Sequence, residues 1–220
     1  MPVLTSALFS SLLLPFSLAA EPARLITPGT FHGDEMPLPT GHDRWLGLYE
    51  DEAGGLAWKY VAPAFRPAED PVLDEPGQQT GVEVAVPGEQ PMMMVRGVPG
   101  LSPGVVTHAT APHQPLLPGS TVKIDDNFKL VATSPNGTSY HLELVGPGGL
   151  TQVLADYDEL VSDAMPALVL AADLDHDGRP DLIMDLTNHY NLSRLTLLLS
   201  SQAGPGALVA PAAALQTTGC

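Results

Sequence analysis

Apolar positions along this chain fall into short runs and alternating stretches, each bounded by glycine, proline or asparagine, which is the pattern of strands and turns. Arg44-Trp45-Leu46-Gly47-Leu48-Tyr49 and Leu56-Ala57-Trp58-Lys59-Tyr60-Val61 flank the acidic, glycine-bearing turn Glu50 to Gly55, so they predict a hairpin with aromatic residues on both arms. Both tryptophans lie there, and their packing in a core is favoured over a sugar-stacking platform. Between Ala62 and Pro118 the chain holds eleven of its 23 prolines, and only Val82 to Val86 and Met92 to Val95 form apolar runs; loops, edge strands and a linker are expected. After Thr121 the signal sharpens. Phe128 to Thr133 and Tyr140 to Val145 surround Ser134-Pro135-Asn136-Gly137-Thr138, where Asn-Gly predicts a second hairpin. Gln152 to Ala155, Ala167 to Ala172, Asp181 to Leu186 and Arg194 to Ser200 supply further strands. The fold class expected is mostly β: an antiparallel, sandwich-like arrangement, with a sheet of five or six strands in the C-terminal half. Three segments follow: residues 1–20 as a leader, 21–118 as a proline-rich N-terminal β region, and 119–220 as a C-terminal β domain.

Composition supports turns over long helices, because 23 prolines and 21 glycines make up a fifth of the 220 residues. At 44% hydrophobic content a sizeable core is still within reach. A formal net charge of −16 argues against nucleic acid and anionic membrane surfaces as partners, and leaves cations or a cation-bridged polymer. Cys220 is the only cysteine, so no intrachain disulfide forms.

Residues 1–20 carry no charged side chain, and Leu12-Leu13-Leu14-Pro15-Phe16 precedes the small residues of Ser17-Leu18-Ala19-Ala20. That order predicts a signal peptide cleaved after Ala19 or Ala20, with an uncleaved anchor as the alternative. Cleavage implies a secreted, periplasmic or cell-surface protein with no stable membrane insertion afterwards.

The densest chemistry is Asp173-Leu174-Asp175-His176-Asp177-Gly178-Arg179-Pro180-Asp181. Alternate carboxylates around one glycine are what a Ca²⁺ loop requires: side-chain oxygens from positions 1, 3 and 5, a backbone carbonyl from position 7 and another ligand at position 9. Asp173, Asp175, Asp177, the Arg179 carbonyl and Asp181 are the candidate ligands, and Gly178 permits the sharp turn. An EF-hand is excluded, because Met184 stands where that loop needs a bidentate Glu and a strand-like run follows instead of a helix. The loop therefore joins two strands. A merely solvated acidic turn is the competing reading. Against it, nine of the 25 acidic residues fall between Asp156 and Asp185 with Arg179 as the only Lys or Arg among them, and such crowding opposes a compact state unless a cation neutralises it.

From Pro166 to Leu186, with all four aspartates and the glycine, the chain resembles the FG-GAP/VCBS family of secreted and surface proteins. The resemblance implies a calcium loop between two strands; in that family many repeats close a β-propeller, whereas this chain contains one such loop.

Catalytic patterns mostly fail. Gly100-Leu101-Ser102-Pro103-Gly104 has the spacing of a nucleophile elbow, but Pro103 lacks the N–H that an oxyanion hole needs. Asp185-Leu186-Thr187-Asn188-His189-Tyr190-Asn191 could place a histidine base beside metal-bound carboxylates, although a strand-to-strand turn explains the same residues. Asn136-Gly137-Thr138 and Asn191-Leu192-Ser193 fit the N-glycosylation pattern. The expectation is a calcium-binding β-protein with a structural, adhesion or interaction role, its partner a cell-surface protein or glycan. The alternative is a secreted hydrolase of polysaccharide or another polymer that keeps calcium as a structural ion.

Overall fold

The computed structural model describes residues 22–36, 44–70, 72–110, 114–160 and 164–219; the leader and Cys220 lie outside these. In chain order the strands are β1 (Arg24–Ile26), β2 (Gly29–Phe31), β3 (Trp45–Glu50), β4 (Leu56–Val61), β5 (Ala64–Ala68), β6 (Gly81–Ala85), β7 (Met93–Arg96), β8 (Gly104–Thr110) and β9 (Gln114–Pro115). Then come β10 (Thr121–Lys123), β11 (Lys129–Thr133), β12 (Tyr140–Val145), β13 (Thr151–Tyr157), β14 (Ala167–Asp173), β15 (Asp181–Asp185), β16 (Leu192–Leu199) and β17 (Ala210–Thr218). The class is mostly β and antiparallel throughout.

The largest sheet has ten strands in the order β1-β7-β3-β4-β8-β14-β15-β16-β17, with β9 alongside β14. Its last strand returns beside its first, so the sheet is nearly closed and barrel-like. A four-stranded sheet, β10-β11-β12-β13, and a three-stranded one, β2-β6-β5, pack onto it.

The hairpin expected around the tryptophans forms in register, with Leu48 opposite Trp58 and Leu46 opposite Tyr60. Trp45 and Trp58 are both buried, in keeping with the core reading. Two expectations are corrected. Met93 to Arg96 is a wholly buried strand between β1 and β3 instead of an edge or linker. The C-terminal strands also divide between two sheets, because β10 to β13 pair among themselves while β14 to β17 continue the barrel.

The boundary expected at 118/119 is bridged by β8. That strand pairs with β4 through Gly104–Val106 and with β14 through Thr107 and Thr110, which joins the two halves in one sheet. One core cluster accordingly runs from Leu25 to Leu215.

Strands β14 and β15 and the second half of β16 are buried on both faces, which is why Ala167 to Ala172, Leu182 to Met184 and Leu197 to Leu199 are continuous apolar runs. Leu170, Ala172, Ile183, Leu197 and Leu199 face the barrel interior, whereas Leu168, Ala171, Leu182, Met184 and Leu198 meet the four-stranded sheet. This division between two packed faces, whose alternation is shifted in β14 by a bulge between Leu168 and Leu170, leaves no solvent face for a charge except at the strand ends. The aspartates sit at those ends: Asp173 closes β14, and Asp181 and Asp185 bracket β15.

The connection from β5 to β6 is held by a buried acid. Asp70 accepts the Val72 and Leu73 N–H groups at 3.0 and 3.1 Å, and its other oxygen lies 2.5 Å from His32 Nδ1. That contact raises the His32 pKa above its ordinary 6.5, despite the opposing effect of burial, and lowers the Asp70 pKa. The signs differ at the two ends of the pH scale. A lowered acid stabilises above the usual carboxylate range and loses this as pH falls; a raised histidine stabilises below 6.5 and loses this as pH climbs through its folded value. Wild type should therefore gain over His32→Gln in the weakly acidic window and lose that advantage on either side, as read by melting temperature against pH. A constant gap across that range would count against the pair.

Candidate metal centre

The pairing of Ala172 with Asp181 brings β14 and β15 together and leaves residues 174–180 as the connecting loop. Two left-handed residues fold it: Gly178 at φ +82°, and His176 at φ +65°, the one non-glycine residue with positive φ among those described. The result gathers one oxygen each from Asp173, Asp175 and Asp177 within 4.8 Å of one another. This carboxylate group could hold a metal ion.

Each carboxylate also serves the turn. Asp173 Oδ2 accepts the Gly178 N–H at 3.2 Å, Asp175 Oδ1 accepts that of Asp177 at 3.3 Å, and Asp177 Oδ1 accepts that of Arg179 at 2.8 Å. Asp175 Oδ2 is bonded by the Ser201 hydroxyl. Asp177 Oδ2 receives the Ser200 hydroxyl at 2.7 Å and the Arg179 guanidinium at 2.9 Å. Burial pushes the Asp177 pKa up, but these bonds outweigh it and hold the group below the ordinary carboxylate value.

The remaining atom is Asp173 Oδ1. Asp173 is 7% exposed, and this oxygen is buried without a hydrogen-bond partner. A buried acceptor left unpaired costs about 1–3 kcal/mol, and more when charged, unless something absent from the polypeptide fills the position. Asp173 also lines a cleft of about 220 Å³ together with Asp125, which comes from the turn between β10 and β11.

Of the five residues expected as ligands, three are brought together. Asp181 stands apart from them: it is 0% exposed, its Oδ2 accepts the Leu174 N–H at 2.8 Å, and its Oδ1 accepts the Ser200 N–H at 2.7 Å. Burial pushes its pKa up to about 7. Its Oδ2 also accepts the Asp175 N–H at 3.3 Å, so its carboxylate holds the loop backbone. Arg179 enters through its side chain, bridging Asp177 and the Ser200 carbonyl, the latter at 2.7 Å.

Other supports are invisible to local sequence reading. Trp58 Nε1 donates to the Leu174 carbonyl at 3.0 Å, tying the loop to the N-terminal hairpin. The Gly100–Gly104 turn lies against the loop, since a Cβ at Gly104 would stand 3.4 Å from His176 Nε2 and one at Gly100 3.6 Å from Asp175 Oδ2. That turn, with its nucleophile-elbow spacing, is a packing element. No signal short of the tertiary contacts marks Trp58, Ser200 or Ser201.

The polar cluster after β15 is held together by its own hydrogen bonds. Asp185 accepts the Thr187 N–H at 3.1 Å, the Arg194 N–H at 2.8 Å and the Ser193 hydroxyl at 2.8 Å. Thr187 donates to the Leu192 carbonyl, and His189 Nδ1 contacts Asn191 Oδ1. Asn136 folds its own turn, accepting the Thr138 and Ser139 N–H groups at 3.0 and 2.6 Å.

No family model, curated protein or solved structure matches this chain. Among the described residues no helix is long and apolar enough to cross a membrane. The class defined by fold and site is thus a barrel-like antiparallel β-protein with a tricarboxylate turn between two of its central strands.

Proposed function

We propose that this chain is a calcium-binding β-protein, exported to the envelope, cell surface or medium, with a structural, adhesion or interaction role. The observation that carries the metal reading is the buried, unpartnered Asp173 Oδ1 within a group of three carboxylates. At 4.8 Å two unit charges repel by about 3 kcal/mol at an effective dielectric of 20, so a cation relieves both the repulsion and the orphaned oxygen.

All three donors are carboxylate oxygens, which suits a hard cation and disfavours zinc or copper. Asp173, Asp175 and Asp177 would hold Ca²⁺, with the Arg179 carbonyl as a further oxygen and Asp181 holding the loop backbone. The ion supplies charge neutralisation and a cross-link across the turn. The resemblance to FG-GAP/VCBS loops supports calcium, and the leader-like residues 1–20 support export to a calcium-rich compartment. The partner proposed is a cell-surface protein or glycan.

A dissociation constant near 10⁻⁴ to 10⁻³ M, usual for extracellular modules, predicts that millimolar calcium stabilises the fold by roughly 0.5–1.5 kcal/mol. Thermal melting of the mature chain in chelator, magnesium and calcium reads this directly. Calcium should raise the melting temperature more than magnesium, and Asp175→Ala should abolish the rise. Identical melting of wild type in chelator and calcium would defeat the proposal.

A further inference from the structure

We infer that the cavity between β2 and the end of β17 binds a small organic cation with N–H donors, an alkylammonium or an alkylguanidinium. The site shares no residue with the aspartate loop and does not depend on calcium there. A cavity of about 230 Å³ opens where the turn after β2 meets Thr217 and Thr218 of β17 and Val72 of the β5–β6 connection. Two titratable side chains line it, His32 and Glu35. Each is oriented through one atom and leaves another unpaired. Asp70 is 1% exposed and its pKa is lowered, so it accepts and His32 Nδ1 donates, at 2.5 Å. The neutral ring then carries its lone pair at Nε2. Glu35 Oε1 accepts the Thr218 N–H at 2.5 Å and the Thr218 hydroxyl at 2.6 Å, which leaves Oε2. Neither His32 Nε2 nor Glu35 Oε2 has a hydrogen-bond partner, and neither is sealed from water.

The charge around this pair has one sign. The hydrogen bond to Asp70 raises the His32 pKa above 6.5 against the effect of burial, and the nearby charges of Asp70, Glu35 and Asp34 push the same way. The other elements add no charge: β17 brings threonines, the β5–β6 connection brings Val72, and the β6 residue opposite Phe31 is Val82. No Lys or Arg is in the lining. Two unpaired acceptors in a negative field call for a ligand that brings both donors and positive charge, and the chain's formal charge of −16 draws cations towards it.

Spacing selects among cations. His32 and Glu35 form no ion pair with each other, so the ring nitrogens and the carboxylate oxygens lie more than 4.0 Å apart. Two ligands of a tetrahedral metal ion, each at about 2.0–2.2 Å, stand only about 3.4 Å apart. An ammonium nitrogen reaches two acceptors at about 2.7–2.9 Å each, and the guanidinium fork spans more. Phe31 and Val72, the latter 47% exposed, offer apolar surface to the alkyl stem. A proton on Nε2 is the competing cation. It removes the lone pair and adds like charge, so affinity should rise as pH climbs through the folded pKa of His32.

The test is a methyl NMR titration of the mature chain in millimolar calcium with putrescine and agmatine, repeated between about pH 6 and pH 9, where exposed carboxylates stay ionised and histidine titrates. Butanediol and tetramethylammonium are the controls: the first lacks the charge, the second the N–H donors. The amines should shift the methyl signals of Thr30, Val72, Thr217 and Thr218, saturate, and at the alkaline end bind about ten-fold or more tightly than either control, the usual effect of a charge-assisted hydrogen bond. Their affinity should fall towards the acid end. Glu35→Gln should cost about ten-fold or more, and His32→Gln should abolish the pH dependence. Glu52→Gln, which removes the same charge from the exposed β3–β4 turn, should change neither. Glu35→Gln keeps an acceptor for Thr218, and it keeps the test decisive if His32→Gln fails to fold. Affinity that ignores pH in wild type, equal binding of amine and either control, retained affinity in Glu35→Gln, shifts confined to other surfaces, or no shift from either amine at about 10 mM would each overturn the inference.

Discussion

Replacing Trp58 by alanine should lower stability by about 3–5 kcal/mol, the usual cost of deleting a buried indole, and should loosen the aspartate loop as well. Trp58 is 1% exposed within the barrel core. Its Nε1 also donates to the Leu174 carbonyl, 116 positions later in the chain. Leu174 sits between Asp173 and Asp175, so a shift of its backbone moves two of the three gathered carboxylates. Trp58→Phe separates the two contributions. It keeps most of the apolar volume and leaves a buried carbonyl without a donor, which costs about 1–3 kcal/mol. Chemical denaturation in chelator and in calcium should show both variants destabilised and both less responsive to calcium than wild type. A phenylalanine variant with unchanged stability and calcium response would show that the indole N–H does not position the loop.

That dependence on Trp58 explains why the site was only partly legible in the sequence. The spacing of Asp173, Asp175 and Asp177 around Gly178 is local, and local spacing sufficed to place three oxygens together. The Ser200 N–H that engages Asp181 arrives beyond the end of β16, 19 positions away, so the backbone-holding role of Asp181 could not be read from the loop. The same division holds for the fold. The hairpin of β3 and β4 was legible because its two arms and turn are contiguous and its side chains alternate. The single barrel-like sheet was not, because it depends on β8 reaching β14, with Thr107 opposite Asp173, and on β17 returning beside β1. Met93 to Arg96 was misread for a related reason: four buried residues in a proline-rich stretch resemble an edge until β1 and β3 are seen on either side. Strand β17 carries alanines and Pro211 instead of a β-branched run, and its pairing with β16 outweighs that weak propensity.

The change expected to damage the loop most is Asp181→Ala. Asp181 is 0% exposed, and its two oxygens accept the backbone N–H groups of Leu174 and Ser200, which are themselves buried. Alanine leaves at least two buried donors unpaired at about 1–3 kcal/mol each, and the missing carboxyl adds a void; together these predict a loss of about 3–5 kcal/mol. Asp181→Asn keeps the shape but cannot satisfy both sides. Whichever way the amide turns, its NH₂ faces one of the two N–H donors, so a loss of about 1–3 kcal/mol is expected. The contrast with Asp175→Ala separates organiser from ligand. Removing Asp175 should abolish the calcium response and leave stability in chelator close to wild type, because that residue is partly exposed and bonds chiefly within the loop and to Ser201. Removing Asp181 should lower stability in chelator first, with the calcium response lost as a consequence. If Asp181→Ala melts like wild type in chelator and loses only its response to calcium, then Asp181 is a ligand and not the organiser of the loop backbone.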